Sequence, residues 1–215
     1  PNSVSLLKIG AAANAQLGNA PEAIKLSQKI LTFKPDSTDV YVNLGNLYAS
    51  LDDLESAIEN FKIAINLQST YVDAYLNLAS TLQQKGLVDE AIKISTEALS
   101  INPNEPRILC NLACALKEKG LFHQCIENCK RAISISPDFA EAHLNLGSAL
   151  QELGSLEEAS SCYQKALEIN PEMSEAHSNL GLIHLQQGDL DEAIWFLSAS
   201  LRVNSESPRV LFDLA

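Results

Sequence analysis

The chain has 215 residues, a formal net charge of −12 at pH 7 and 46% apolar residues. This apolar content is typical of a folded chain and argues against disorder. The negative charge disfavours nucleic acids and anionic membrane surfaces as partners, and no apolar run is long enough to span a membrane. We therefore expect no binding to nucleic acid or membrane.

The cysteines indicate a cellular compartment. There are five, an odd number, and the pairs Cys110/Cys114 and Cys125/Cys129 are each spaced four residues apart, as on one face of a helix. This pattern argues against the disulfide framework of a small secreted protein, so we expect a reducing compartment, the cytoplasm. The chain begins with Pro1 instead of a methionine, and we expect it to be part of a longer protein.

A repeat of constant length organises the chain. Pro103, Pro137 and Pro171 follow one another at steps of 34 residues, and Pro35 lies two such steps before Pro103. A fixed period of this size is typical of an all-α solenoid in which each repeat is a pair of helices. We predict one array over 1–215, with repeats at 4–37, 38–71, 72–105, 106–139, 140–173 and 174–207 and a partial seventh at 208–215.

Small residues recur where the two helices of each repeat must approach closely. Position 8 carries Ala11, Gly45, Ala79, Ala113, Gly147, Gly181 and Ala215, and position 20 carries Ala23, Ala57, Ala91, Cys125, Ala159 and Ala193. Larger residues at positions 4, 7, 11 and 24 are predicted to fill the space beside them. Repeat 1 departs from this pattern with Gly10, Asn14 and Ser27, so it is either a degenerate terminal repeat or loosely packed.

Turn and cap signals separate the two helices of each repeat. Position 15 carries Gly18, Gly86, Gly120, Gly154 and Gly188, with Asp52 in repeat 2. A residue just past a helix end often adopts the left-handed conformation, which glycine takes without steric cost. Asn19, Ser155 and Asp189 each precede a glutamate by three residues, a spacing that predicts capping boxes. The proline at position 32 ends the second helix.

These positions together resemble the tetratricopeptide repeat family. The matching pattern is Leu-Gly or Leu-Ala at positions 7 and 8, Gly at 15, Ala at 20 and 27, and Pro at 32, in six registered copies over essentially the whole chain. The resemblance implies antiparallel helix hairpins wound into a right-handed superhelix. It also implies a concave groove, formed by the first helices, that binds a protein or peptide.

Positions 2, 6, 9 and 13 lie roughly opposite the core face of the first helix and form the predicted groove surface. We name the asparagines at position 6 the asparagine ladder: Asn43, Asn77, Asn111, Asn145 and Asn179. A primary amide can pair with both halves of a peptide bond, so the ladder predicts binding of an extended polypeptide. The alternative is that these amides bond to neighbouring backbone and stabilise the stack. The predicted site also includes Asn46, Arg107 and Lys117.

The groove edge offers clues to the ligand. Position 2 is acidic except in two repeats, which favours basic or neutral peptides, although an ordinary solvated face would look the same. The carboxylate clamp of chaperone-binding repeats is disfavoured, because Lys8 and Asn43 fit it but Ala12, Asp73 and Asn77 do not. The segments 142–147 and 176–181 read Ala-His-x-Asn-Leu-Gly, which is similar to the asparagine ladder in the repeat arm of O-linked N-acetylglucosamine transferase.

No pattern in the sequence predicts catalysis, a metal or another cofactor. Four cysteines fall within repeat 4, but Cys110 and Cys114 are predicted on the groove side and Cys125 and Cys129 at core positions, which disfavours a zinc site. An exposed redox pair of Cys110 and Cys114 stays open as an alternative. Three histidines occupy packing positions and are predicted to lie in the core or between repeats: His143, His177 and His184.

The leading hypothesis is a non-catalytic scaffold that binds an extended polypeptide segment in the concave groove. The alternatives are a substrate-targeting repeat arm of a larger transferase-type enzyme and a spacer that self-associates through its C-terminal end. Leu211 and Leu214 are spaced to pack on the sixth repeat but have no second helix behind them. We therefore predict that the protein continues beyond Ala215 or that this end pairs with another molecule.

Overall fold

The computed structural model describes residues 2–203, and its twelve α-helices, without a strand, account for most of that range. They are α1 (Asn2–Gln16), α2 (Ala20–Phe33), α3 (Thr38–Ser50), α4 (Leu54–Leu67), α5 (Val72–Gln84), α6 (Val88–Ile101), α7 (Pro106–Glu118), α8 (Phe122–Ile135), α9 (Ala140–Glu152), α10 (Leu156–Ile169), α11 (Ser174–Gln187) and α12 (Leu190–Val203). The predicted all-α fold of helix hairpins is confirmed. None of the described helices is long and apolar enough to cross a membrane.

The helices form two compact units, divided between Pro103 and Asn104. Unit 1 contains α1–α6 and unit 2 contains α7–α12; within each, every odd-numbered helix packs on the even-numbered helix that follows it. The connections are short, so paired helices run antiparallel. Successive hairpins stack within each unit, α2 on α3, α4 on α5, α8 on α9 and α10 on α11.

Some predictions about the array as a whole remain predictions. The single superhelix over all repeats concerns both units together. The partial seventh repeat at 208–215, with Leu211 and Leu214, lies outside the described residues, and so does the self-association predicted for that end.

The turn at position 15 has the predicted left-handed backbone. Gly188, for example, has a φ of 85°, and Asp52, the one departure from glycine, has a φ of 60°. The capping boxes predicted at Asn19 and Ser155 are wrong, because neither side chain caps its helix. The Asn19 amide instead donates a hydrogen bond of 2.9 Å to Oδ1 of Asn14. Asp53 does cap α4, accepting from the backbone N–H of Ser56 at 3.1 Å.

Close approach within the hairpins depends on a match between positions 8 and 24 that the sequence analysis did not identify. A Cβ atom added at Gly45 would lie 2.4 Å from the Phe61 ring, and one added at Gly147 would lie 2.7 Å from the Tyr163 ring. Gly181 and Leu197 form the third such pair. In repeats 1, 3 and 4 position 8 is alanine, and position 24 is then small: Ser27, Ser95 and Cys129. In the described hairpins a large residue at position 24 thus occurs only opposite a glycine at position 8.

Candidate functional site

The asparagine ladder occupies the middle of the first helix in five hairpins, but its members differ in exposure. Asn43 is exposed, Asn77 and Asn111 are half-buried, and Asn145 and Asn179 are buried. A ligand can therefore reach some of these amides far more readily than others. This difference was not visible in the sequence, where all five occupy the same repeat position.

In unit 1 the ladder links neighbouring repeats. Nδ2 of Asn77 on α5 donates a hydrogen bond of 2.8 Å to Oδ1 of Asn46 on α3, so the structure brings together two residues of the predicted site. This bond uses one donor of Asn77 and one acceptor position of Asn46. Oδ1 of Asn77 and the two N–H groups on Nδ2 of Asn46 keep their capacity for further bonds. Asn43 lies one helical turn before Asn46 and is exposed.

In unit 2 the ladder residue Asn145 bonds to its own chain. Its Nδ2 donates to Sγ of Cys110 at 3.2 Å, and its Oδ1 accepts from Nζ of Lys117 at 3.4 Å. Both partners lie on α7, so this amide ties α9 to the preceding hairpin. Only 9% of Asn145 is exposed. At this position the contacts favour the alternative in which the amide stabilises the stack.

The charged residues of the predicted site are partly neutralised by neighbours. Nε of Arg107 lies 2.9 Å from Oε1 of Glu105, two residues before it in the chain. On unit 1, Nζ of Lys8 pairs with Oδ2 of Asp39, which belongs to the acidic edge at position 2. The Lys8 ammonium is therefore already engaged.

A cleft opens in unit 1 between α1, α2 and α3, and we name it the repeat-1 cleft. Its volume is about 570 Å³, and its apolar lining includes Ala11, Ala12, Ala15, Ile30, Val40 and Leu47. Asn43 and Asn46 stand at its rim together with the Lys8–Asp39 pair. The cleft joins two predicted site residues to an apolar surface in repeat 1. The sequence signal was the alanine at both positions 9 and 12, which no other repeat has.

The cysteines of repeat 4 do not form the exposed redox pair considered above. Cys110 is buried against Asn145, and burial raises the pKa of its thiol to about 12. Cys125 and Cys129 are fully buried, with their sulfur atoms 4.0 Å apart. Within residues 2–203 no group of three or more His, Cys, Asp or Glu side chains is arranged to hold a metal ion.

The cysteine environments predict a graded reaction with a thiol reagent. With 5,5′-dithiobis(2-nitrobenzoate) at pH 8, Cys114 should react first, because it is only half-buried whereas three of the other thiols are buried. Cys162 should follow more slowly, since burial raises the pKa of its thiol. The three buried thiols should react only after unfolding, giving five equivalents in denaturant. Rapid reaction of Cys110, followed by peptide mass mapping, would contradict this assignment.

Of the three histidines predicted at packing positions, His177 is buried and His143 and His184 are half-buried. Nε2 of His177 lies 2.9 Å from the Pro171 carbonyl and Nε2 of His143 lies 2.9 Å from the Pro137 carbonyl, so each ring is held by the loop before its helix. The ring of His184 stacks on Phe196 with 5.4 Å between centroids. These contacts give the imidazoles a structural role.

Two family models match the chain. A model described as "TPR repeat" matches residues 45–86, 115–154 and 149–188, which together make up more than half of the chain. A model described as "Tetratricopeptide repeat" matches residues 72–105 and 174–207. No curated protein sequence matches the chain.

Several solved structures have a similar fold. PilW, a type IV pilus biogenesis factor, is 17% identical with a TM-score of 0.83, and the alignment covers all of both chains. A thermophilic TPR protein of Thermus thermophilus is 22% identical with a TM-score of 0.71, covering 82% of this chain and 96% of that one. YrrB, described as a TPR protein with an unusual peptide-binding site, is 21% identical with a TM-score of 0.59, covering 87% of this chain and 96% of YrrB.

Proposed function

Because this chain belongs to the tetratricopeptide repeat family, we propose that it is a non-catalytic scaffold that binds an extended polypeptide segment along the first helices of unit 1. Proteins of this family are protein-interaction scaffolds, and this chain carries the same repeat in more than half of its length. The proposal concerns the kind of ligand and where it binds.

One observation carries the proposal: three amides of unit 1 that are exposed or half-buried, those of Asn43, Asn46 and Asn77, lie on the first helices, two of them beside an apolar cleft. The Asn77–Asn46 bond fixes two of them, and Asn43 lies one turn from Asn46 at the cleft rim. An extended peptide presents N–H and C=O groups in alternation, and each carboxamide can accept from one and donate to the other. Amides held in place by their neighbours lose little side-chain entropy when the ligand binds.

The charge of the protein narrows the ligand further. The net charge of −12 would repel an acidic peptide. A neutral or basic segment is therefore the proposed partner, and the association of a basic segment should slow as salt screens its attraction to the acidic protein. Four residues of unit 2 stay predicted site residues: Asn111, Asn179, Arg107 and Lys117. We give them a smaller part in the proposed binding, because Asn179 is buried, Arg107 pairs with Glu105 and Lys117 bonds to Asn145.

The proposal predicts that loss of two of these amides weakens peptide binding in a variant that still folds. A phage-displayed library of random unstructured peptides would be selected for binding to the wild-type chain. The selected peptides would then be synthesised and their Kd values measured by fluorescence anisotropy. The double variant Asn43→Ala/Asn77→Ala should raise Kd by about 10-fold or more, because each lost hydrogen bond is worth about 1 kcal/mol.

A matched variant controls for a general effect of removing an amide. Asn66 is exposed on α4, the second helix of its hairpin, so Asn66→Ala should leave Kd unchanged. Circular dichroism would confirm that each variant folds. Equal Kd values for all three proteins would remove the role of the amides, and a selection that yields no binding peptide would contradict the proposed function itself.

A further inference from the structure

We propose that the repeat-1 cleft is an anchor pocket that accepts one large, uncharged, apolar side chain of the bound segment, of the size of leucine, methionine or phenylalanine. The inference rests on the proposed function, because the side chain belongs to the same extended polypeptide. It adds a specificity that the asparagines cannot provide, since backbone amide pairing is the same for every residue of a ligand.

Several short side chains of repeat 1 line the cleft. Position 24 is Ser27, where three other repeats place Phe61, Tyr163 or Leu197 against the first helix. Asn14 at position 11 does not fill the gap, because its Nδ2 folds back to the Gly10 carbonyl of its own helix at 2.8 Å. At positions 9 and 12 the first helix presents the methyl groups of Ala12 and Ala15, a combination that no other repeat has.

The floor of the cleft is apolar and firmly held. Ile30 and Val40 are 1% and 2% exposed and belong to one core cluster with Leu44. Ala12 and Ala15 lie higher on the wall and are exposed. The volume of about 570 Å³ lies within the range of small-ligand pockets, which is roughly 300 to 1,000 Å³. It accommodates a large side chain together with part of its flanking backbone.

The rim selects against a charged occupant. Its ammonium and carboxylate, from Lys8 and Asp39, already neutralise each other, so neither is left to pair with an incoming charge. The Asn43 and Asn46 carboxamides, which also line the cleft, can donate to and accept from a peptide bond. A charged side chain bound next to Ala12 and Ala15 would lose hydration and gain no counter-ion in return, which is unfavourable.

Capped amino acids test the pocket separately from the longer peptide. The probes are N-acetyl-phenylalanine N-methylamide and N-acetyl-leucine N-methylamide, with the glycine and glutamate analogues as controls, titrated into the full chain carrying ¹³C-labelled methyl groups. The apolar probes should shift the methyl resonances of Ala12, Ala15, Ile30 and Leu47 in a saturable way. The glycine and glutamate probes should leave them unmoved.

Filling the cleft should abolish these shifts. Ala15→Leu places a larger side chain on the exposed wall, and Ala13→Leu is the matched control, since Ala13 is also exposed on α1 but does not line the cleft. For a selected peptide, Ala15→Leu should raise Kd by about 10-fold or more, the effect of preventing burial of one large apolar side chain. Ala13→Leu should leave Kd unchanged.

The outcomes separate the two proposals. If the apolar probes cause no shifts in the cleft, or Ala15→Leu and Ala13→Leu bind the peptide equally well, the anchor pocket is wrong while the scaffold function stands. If peptides bind the Asn43→Ala/Asn77→Ala variant normally but fail with Ala15→Leu, the pocket stands and the amides have no role. If no peptide binds the wild type, the proposed function fails, whatever the capped amino acids do.

Discussion

Replacing Gly45 with alanine should destabilise the protein by about 1–3 kcal/mol, the usual cost of overpacking a tight core. The new methyl group would lie 2.4 Å from the ring of Phe61, which is 1% exposed and cannot move aside without displacing its neighbours. Alanine is the better helix former by about 1 kcal/mol, so a net loss would show that packing outweighs propensity. Equilibrium unfolding in urea, followed by circular dichroism, measures the change.

Two further variants make the Gly45 prediction specific. Gly10→Ala meets only Cδ1 of Leu26, the end of a flexible side chain, at 3.3 Å, so it should be neutral or stabilising by up to about 1 kcal/mol. Adding Phe61→Ser to Gly45→Ala recreates the Ala79–Ser95 pair of repeat 3. The double variant should be less destabilised than the sum of the single changes. Strict additivity would contradict the proposed match between positions 8 and 24.

Replacing Asn145 with alanine should cost about 1–3 kcal/mol of stability, whereas Asn43→Ala should change it by less than about 0.5 kcal/mol. Asn145 is buried and joins Cys110 and Lys117 of α7 to α9, so its loss breaks two hydrogen bonds and leaves a small gap. Asn43 is exposed. Urea unfolding of both variants under the same conditions compares them directly.

The same pair of variants also distinguishes the two interpretations of the ladder. If the ladder serves both purposes, Asn145→Ala should affect stability more than peptide affinity, and Asn43→Ala should do the reverse. Lys117→Met, which keeps the length of the side chain, should reproduce part of the Asn145→Ala loss. Equal stability losses for Asn43→Ala and Asn145→Ala would show that exposure does not determine the role of these amides.

Much of the fold could be predicted because its determinants are local. Three sequence features were enough to predict the helix hairpins: the prolines at a period of 34 residues, the small residues at positions 8 and 20, and the turn residues at position 15. Each acts through the conformational preferences of single residues or short segments. The packing of Cys125 and Cys129 in the core followed from the same periodicity. The helix caps were less predictable, because the Asn19 side chain bonds to Asn14 instead of capping its helix.

The candidate site was predictable only as a set of positions. Asn46 and Asn77 were both expected on the groove face, but the bond between them depends on how α3 and α5 lie against each other. Cys110 was expected at the groove surface and is buried under Asn145. The repeat-1 cleft was not predicted, because it is a space between three helices that several short side chains leave unfilled.

By itself, then, the sequence determined the all-α class, the length of the repeat and the residues that face the partner helix, because backbone preferences and helical periodicity act within one hairpin. The tertiary structure decided which of five identical asparagines remain accessible and where a cleft opens. Both depend on the volume and position of side chains from neighbouring helices, which stack on each hairpin and cover one amide while leaving another exposed.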